Sequence, residues 1–261
     1  FPDCRILQEV QLASPAYGAA VDSRGFLWTS GIAGSPTKVD TRDGSVVGIV
    51  PRNGRLMDGD QESFLNVSFY GMAIDKRDNV WYGVWQPGGY VGRIDGRTHE
   101  LELFRHSGTG RTRGVAVDLD GNIWAAGWED RALFKYSPDG DLLLTVPVGD
   151  SLMGVAVDSE GGIFGISTSR AYRFNTNGVE LCRTEGLPAL YTYSDMTGIQ
   201  LLTITLSTGR WSVRVDGGSD DVIWDMINWD GAIPDGAFVD VRVRTAPTLA
   251  GLTAAEWSGR S

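Results

Sequence analysis

Gly114-Val-Ala-Val-Asp-Leu-Asp-Gly-Asn-Ile-Trp124 is the stretch that decides the fold of this 261-residue chain. Its pattern returns in three more copies, which begin at Gly18, Gly71 and Gly154. Every copy has an aspartate four residues after the glycine and an aromatic residue six positions after that aspartate. The copies start 53, 43 and 40 residues apart, and a period of this size is typical of the blades of a β-propeller. The repetition therefore predicts an all-β protein with four such blades.

Each copy resolves into four short extended runs separated by turn residues, as the third copy illustrates. Residues 114–118 predict the innermost strand, 122–126 the second, 132–136 the third and 141–146 the outermost. Trp124 is the largest apolar residue of the second strand, and we expect it to be the buried anchor of the blade. The turns carry Asp, Asn and Gly, which bond their own backbone or take a positive φ without steric cost. The sequence therefore predicts one four-stranded meander per copy.

The phrase Gly-Val-Ala-Val-Asp-x-x-Gly-x-Ile-Trp is similar to the repeat of NHL propellers and of the streptogramin lyase (virginiamycin B lyase) group. The resemblance covers residues 1 to about 190 and implies a β-propeller. It leaves the function open, because this scaffold serves lyases, hydrolases, sensors and protein-binding modules. The lyases use a metal and histidines near the channel mouth, and neither His99 nor His106 is expected at a matching position. The resemblance therefore implies the fold without implying lyase activity.

Four blades are few for a closed propeller, which typically has roughly four to eight. An open arc would leave sheet edges unprotected. We therefore expect the parent ring to contain more blades, on the N-terminal side of Phe1. Between the first two copies lies an insertion over 51–60, which we expect to form a surface excursion on one face.

Beyond residue 196 the repeated phrase fails. Val239, Val241 and Val243 alternate with charged residues, which predicts a strand. This run resembles part of a small β-sandwich that is appended to bacterial extracellular proteins, and a divergent last blade is the alternative. We therefore divide the chain into propeller blades over 1–196 and a β-sandwich-like segment over 197–261, a partial β-sandwich.

Composition excludes several classes of partner. The formal net charge is −10, which argues against nucleic acid and against an anionic membrane, because both attract basic surfaces. No apolar run approaches the ~20 residues of a membrane helix. The two cysteines, Cys4 and Cys182, occupy similar late-strand positions in their repeats. A disulfide between them would fit an extracellular protein, and two free thiols are the alternative.

Motifs for metal binding or catalysis are weak. Residues 118–129 have acidic spacing like that of a calcium loop, but Ile123 stands where the sharp turn needs glycine, so we interpret them as a hairpin. A second acidic loop contains Asp216, Asp220 and Asp221 and is the remaining candidate for calcium. The sequence contains neither a Gly-x-Ser-x-Gly elbow nor a phosphate loop. We therefore expect no cofactor and favour a chain that is not an enzyme.

One rim of the propeller is the predicted contact face. Loops between second and third strands share this rim with the connectors between blades, and Trp85 and Trp128 each follow the buried aromatic residue of their blade by four positions. The predicted site residues are Trp85, Gln86, His106, Arg111, Arg113, Trp128, Asp130, Arg131 and Arg170. Tryptophan beside arginine and carboxylates suits a sugar, a peptide or a protein surface. Packing of the two tryptophans between blades is the alternative interpretation.

These features favour a secreted or cell-surface bacterial protein whose propeller is a non-catalytic binding or structural module. Its partner would be a protein or a glycan that contacts the rim. The alternative is a metal-dependent lyase or hydrolase of the streptogramin-lyase-like group, with active-site residues outside this chain. A third hypothesis is a subunit of a larger assembly in which another chain completes the ring.

Overall fold

The computed structural model describes residues 6, 8–57, 63–192, 212–219, 222–228, 231, 233 and 238–258. The chain divides into two units, Phe1–Ser207 and Thr208–Ser261.

The described part of the first unit contains four consecutive blades, each built on an antiparallel meander. Blade 1 contains β1 (Gly18–Val21), β2 (Phe26–Ser30), β3 (Thr37–Asp40) and β4 (Val46–Ile49), and the next strands in the chain are β5 (Asn53–Leu56) and β6 (Phe64–Asn66). Blade 2 contains β7 (Phe69–Ile74), β8 (Val80–Val84), β9 (Tyr90–Ile94) and β10 (Leu101–Arg105). Blade 3 contains β11 (Thr112–Val117), β12 (Ile123–Gly127), β13 (Ala132–Tyr136) and β14 (Leu142–Pro147). Blade 4 contains β15 (Leu152–Val157), β16 (Ile163–Ser167), β17 (Ala171–Phe174) and β18 (Glu180–Arg183).

Each blade is a meander, and successive blades pack through their inner strands. The core is a series of apolar layers between neighbouring blades: Trp28 lies in the first layer, Trp81 in the second and Trp124 in the third. A Cβ at Gly114 of β11 would lie 2.8 Å from the Cα of Gly154 in β15, so only glycine permits this close approach. These observations confirm the predicted all-β propeller.

The insertion between the first two copies forms the β5–β6 hairpin, and it lies elsewhere than expected. Instead of rising from one face, β5 pairs in parallel with β10 and extends blade 2 to six strands. Arg55 of β5 also donates to Glu102 of β10 at 3.0 Å. The unpaired N–H and C=O groups of an outer strand are a template for such an addition, which explains the position of the hairpin.

In the three copies that contain tryptophan, the aspartate and the aromatic residue are joined by a hydrogen bond. In the first three blades the indole Nε1 donates to the aspartate Oδ2 at 2.9–3.0 Å, from Trp28 to Asp22, from Trp81 to Asp75 and from Trp124 to Asp118. Oδ1 of each aspartate accepts from the backbone N–H groups two and four residues later, which closes the hairpin. In blade 4, Phe164 has no polar hydrogen, and Arg173 donates to Asp158 at 2.8 Å instead.

Cations on the third strands connect each blade to the next. Lys135 lies opposite Trp124 in the ladder, with Nζ 5.2 Å from the indole centroid. Its Nζ donates to the carbonyl of Thr176 in blade 4 at 3.0 Å. The same contact joins the two earlier pairs of blades, from Lys38 to Gly96 at 2.9 Å and from Arg93 to Pro138 at 2.8 Å. A hydrogen bond from a charged donor contributes more than a neutral one, so these contacts stabilise the stacking of the blades.

The β-sandwich predicted for 197–261 is not found in the part of the second unit that the structure describes. That part contains no strand, and its regular element is a short helix, α1 (Leu249–Ala254), capped by the Thr248 side chain. Val239 and Val243 are 52% and 42% exposed, so the alternating valines bury no apolar face there. Alternation produces a stable strand only where partner strands cover it. None of the helical segments in the described residues has the length and hydropathy of a membrane span.

Candidate binding face

The candidate site begins at one repeat position, the residue directly before the glycine of each copy. Tyr17, Tyr70 and Arg113 hold this position in the first three blades. In blades 2 and 3 the ladder register shifts here, between Phe69 and Met72 and between Thr112 and Val115. Such a bulge bends the strand and re-aims its side chains. The bulges therefore present Tyr70 and Arg113 where the inner strands begin.

Trp85 and Trp128 directly follow β8 and β12, and their side chains lie beside Tyr70 and Arg113. Their backbone N–H groups donate to equivalent carbonyls, Trp85 to Ser68 at 2.9 Å and Trp128 to Arg111 at 3.0 Å. Because the two bonds are the same, neighbouring blades present the two indoles in register. Both rings are half-buried. The indole of Trp85 stacks on the ring of Tyr70, with centroids 5.0 Å apart and planes at 16°.

The guanidinium of Arg113 contacts three rings from two blades. Its Cζ lies 3.7 Å from the ring centroid of Trp128, 4.9 Å from that of Trp85 and 5.4 Å from that of Tyr70. Its Nε is buried and has no hydrogen-bond partner. Among the described residues, Arg113 forms neither an ion pair nor a side-chain hydrogen bond. Arg113 is therefore held by aromatic faces and has no counter-charge in the part of the chain that the structure describes.

Arg111 differs from Arg113 because its charge is paired. Its guanidinium lies 5.3 Å from the ring centroid of Trp85 and forms an ion pair with Glu129. The other carboxylate oxygen of Glu129 accepts from the backbone N–H of Arg111 at 2.7 Å. Glu129 is therefore already committed to Arg111.

Three phenols complete the site. The hydroxyls of Tyr17, Tyr70 and Tyr191 are joined by hydrogen bonds, at 3.3 Å between Tyr17 and Tyr70 and 2.5 Å between Tyr70 and Tyr191. Burial raises the pKa of both Tyr17 and Tyr70, so these phenols are neutral at physiological pH. We call the six side chains the aromatic–arginine cluster: Tyr17, Tyr70, Trp85, Arg113, Trp128 and Tyr191.

Two residues predicted for the rim are structural. His106 is only 3% exposed and stacks on Phe134, with ring centroids 3.8 Å apart. Its Nδ1 accepts from the backbone N–H of Gly108 at 3.0 Å, and burial lowers its pKa to about 4. Asp130 accepts from the backbone N–H of Gly110 at 3.0 Å. His106, predicted for the rim, is therefore enclosed in the structure, and both side chains hold the connector before β11.

Gln86, Arg131 and Arg170 make contacts of their own. The side-chain carbonyl of Gln86 accepts from the backbone N–H of Ser68 at 2.5 Å. Arg131 is exposed, and its backbone carbonyl accepts from the N–H groups that follow β14. Arg170 forms ion pairs with two carboxylates, Asp150 at 2.9 Å and Glu185 at 2.6 Å. Of the predicted site residues, the structure thus gathers Trp85, Arg111, Arg113 and Trp128.

The candidate metal and disulfide positions lie partly outside the described residues. Asp220, Asp221 and Cys4 are outside them, whereas Asp216 accepts from the backbone N–H of Gly218 at 2.9 Å. Within the described ranges, no three His, Cys, Asp or Glu side chains are placed to hold a metal ion. Cys182 is exposed and has no disulfide partner among the described residues.

Tyr17, Tyr70 and Tyr191 are not among the residues predicted from the sequence. The first two had a signal, because they share with Arg113 the position before the repeat glycine. Tyr191 follows the last matched strand and belongs to no copy, so the repeat pattern contains no information about it.

Comparison with known proteins supports the fold. The sequence matches no family model and no curated protein. Among solved structures, it resembles selenomethionine-substituted virginiamycin B lyase from Staphylococcus aureus, with a TM-score of 0.54 and 14% identity over 67% of this chain and 57% of that one. It also resembles the β-propeller domain of Cps50 (Swd1) from Myceliophteria thermophila, with a TM-score of 0.56 and 15% identity over 74% of this chain and 67% of that one.

These likenesses show a β-propeller and leave the activity open. This chain spans somewhat more than half of the lyase, 57% of its length. At 14–15% identity a structural match shows the fold alone, because one fold serves many functions.

Proposed function

We propose that this chain is a non-catalytic binding module that engages a partner protein through the aromatic–arginine cluster. The observation that carries the proposal is Arg113, whose unpaired guanidinium lies 3.7 Å from the ring centroid of Trp128 and 4.9 Å from that of Trp85. Tryptophan, tyrosine and arginine dominate the energetic centres of protein interfaces. A secreted or cell-surface location is part of the same proposal.

The polar groups of the face favour a protein over a glycan. Sugar hydroxyls require hydrogen-bond acceptors beside the stacking rings. The acceptors here are already engaged, because Glu129 binds Arg111, Asp130 accepts from the backbone N–H groups at 109 and 110, and Gln86 binds Ser68. The aromatic faces and the unpaired guanidinium remain, and these suit an interface with apolar and acidic side chains.

Neither histidine of the described residues supports the lyase alternative on this face. His106 is enclosed against Phe134, and its lowered pKa of about 4 follows from burial. His99 lies in the β9–β10 turn against Trp28, with centroids 5.4 Å apart. A histidine for acid–base chemistry must reach the proton that it transfers. His106 is buried and His99 is half-buried against Trp28, so the packing of the two rings favours structural roles.

The test starts from a partner captured from the source organism and then purified. Binding of that partner is measured by calorimetry to the wild-type chain, Trp128→Ala and Arg113→Met. Loss of a central interface residue costs about 2 kcal/mol or more, so each variant should bind about 30-fold more weakly or worse. Leu143→Ala, on the exposed outer strand β14, is the matched control and should bind like the wild type. Equal binding by all four chains would remove the cluster as the contact surface.

A further inference from the structure

The aromatic–arginine cluster contains one positive charge that nothing among the described residues balances. Arg111 is neutralised by Glu129, whereas Arg113 has no carboxylate partner there. The chain as a whole has a net charge of −10, so acidic groups are abundant. The positive charge of Arg113 without a carboxylate partner is therefore a local feature of this face and does not reflect the charge of the whole chain.

The surroundings of Arg113 make a counter-ion favourable. The guanidinium is half-buried among three rings, and its Nε is buried without a partner. A charge in a low-dielectric environment interacts more strongly with an opposite charge than the same charge in water. A buried donor without an acceptor also destabilises the folded state. An anion that binds the guanidinium would supply the missing counter-charge.

We propose that Arg113 binds a single carboxylate of the partner, an Asp or Glu side chain or a chain terminus, with adjoining apolar groups on Trp85 and Trp128. This inference rests on the proposed function. The planar fork of a guanidinium matches a carboxylate through two parallel hydrogen bonds. One unpaired cation also matches one negative charge.

The neighbouring acids disfavour a phosphate. Glu129 and Asp130 flank the connector beside Arg113, and Asp130 is fixed by backbone N–H groups at 3.0 Å. A phosphate monoester carries about −1.5 to −2 charges at neutral pH and would meet more repulsion from these carboxylates. Phosphate sites also draw on several cations or N–H groups, whereas this cluster offers one unpaired arginine.

The experiment uses benzoate as the carboxylate probe, benzamide as its neutral isostere and inorganic phosphate as the competing anion. Each is titrated up to about 50 mM at constant ionic strength, and the indole N–H resonances of the full chain are followed by NMR. Trp85→Phe and Trp128→Phe assign the two signals. Benzoate is expected to shift both indoles and to bind at least about tenfold more tightly than benzamide or phosphate.

Arg113→Met should weaken benzoate binding at least about tenfold, whereas Arg77→Met, on the exposed β7–β8 turn, should leave it unchanged. The comparison of benzoate with benzamide needs no variant. It therefore tests the preference for a carboxylate even if Arg113→Met fails to fold. Equal binding of benzamide, tighter binding of phosphate, or no indole shift with benzoate would overturn the inference. Partner binding that still depends on Trp128 would then leave the proposed function standing. If benzoate binds but partner binding does not depend on the cluster, the proposed function and the partner's carboxylate are both removed, and only the preference of Arg113 for a carboxylate remains.

Discussion

The indole of Trp124 donates a hydrogen bond to the carboxylate of Asp118, with 3.0 Å between Nε1 and Oδ2. Both side chains are fully buried. The same carboxylate accepts from the backbone N–H of Asn122 at 2.8 Å and lies 3.5 Å from Nζ of Lys135. One carboxylate therefore joins the hairpin turn, the core tryptophan and the third strand, which explains the fixed spacing of the aspartate and the tryptophan in the first three copies.

Asp118→Asn should lower the free energy of unfolding by about 2–3 kcal/mol, because the new amide group would direct N–H donors toward the Trp124 N–H and the Lys135 ammonium. Urea unfolding followed by tryptophan fluorescence measures this change. Asp120→Asn is the matched control on the same turn, where the side chain is exposed, and it should stay within about 0.5 kcal/mol of the wild type. Equal effects of the two variants would contradict the role assigned to the buried carboxylate.

Lys135 should be replaceable by arginine but not by methionine. Lys135→Met removes the hydrogen bond to the Thr176 carbonyl and the ion pair with Asp118, and should cost about 2 kcal/mol. Lys135→Arg should cost less than about 1 kcal/mol, because Arg93 and Arg173 hold the same ladder position opposite the aromatic residues of blades 2 and 4. Urea unfolding of both variants provides the comparison. A loss of similar size in Lys135→Arg would show that the position needs lysine specifically.

The repeat made the propeller predictable because its spacing reflects local contacts. Asp118 and Trp124 interact within one hairpin, so a contact of short sequence separation recurs as a visible pattern. The contacts between blades repeat in the same way but with variable spacing, as Lys135 to Thr176 shows. The stacking of the blades can thus be predicted from the repeat. The individual hydrogen bonds between blades can be identified only from the three-dimensional structure.

The candidate site was only partly predictable. Trp85, Arg113 and Trp128 have positions relative to the repeat, so their meeting on one rim followed from strand order. Tyr191 reaches Tyr70 across 121 residues, and no periodicity encodes such a contact. The buried state of His106 was missed for a related reason, since the Phe134 ring that covers it comes from β13.

The C-terminal valines show the limit of pattern alone. Alternation at Val239 and Val243 predicted an inward-facing strand, but both side chains are largely exposed. Alternation with a period of two indicates which face of a strand would be apolar. It contains no information about what covers that face.

Stability should decrease as the pH falls from about 6.5 to about 4 because of His106. Burial lowers its pKa from 6.5 to about 4, so at intermediate pH the unfolded chain binds a proton that the folded protein excludes. The contribution is complete above pH 6.5 and should be lost over this window, by about 3 kcal/mol in total. Urea unfolding at pH 7.5 and pH 4 measures the loss.

His106→Gln separates this effect from the titration of carboxylates, which acts in both chains. The variant should lose about 3 kcal/mol less than the wild type between the two pH values. A pH dependence of equal size in both chains would show that His106 titrates in the folded state as it does in the unfolded chain.

Replacement by methionine should affect the stability of the fold very differently at two arginines that contact tryptophan. Arg93 lies 5.4 Å from the Trp81 centroid and donates to Glu102 and to the Pro138 carbonyl, so Arg93→Met should cost about 2–3 kcal/mol of unfolding free energy. Within the described ranges Arg113 has aromatic contacts alone and a buried Nε without an acceptor, so Arg113→Met should change stability by less than about 1 kcal/mol while partner binding is lost. Urea unfolding of both variants, with calorimetry for binding, makes the comparison. Arg113 would be a structural residue if its replacement cost as much as that of Arg93, because residues reserved for binding are those whose removal the fold tolerates.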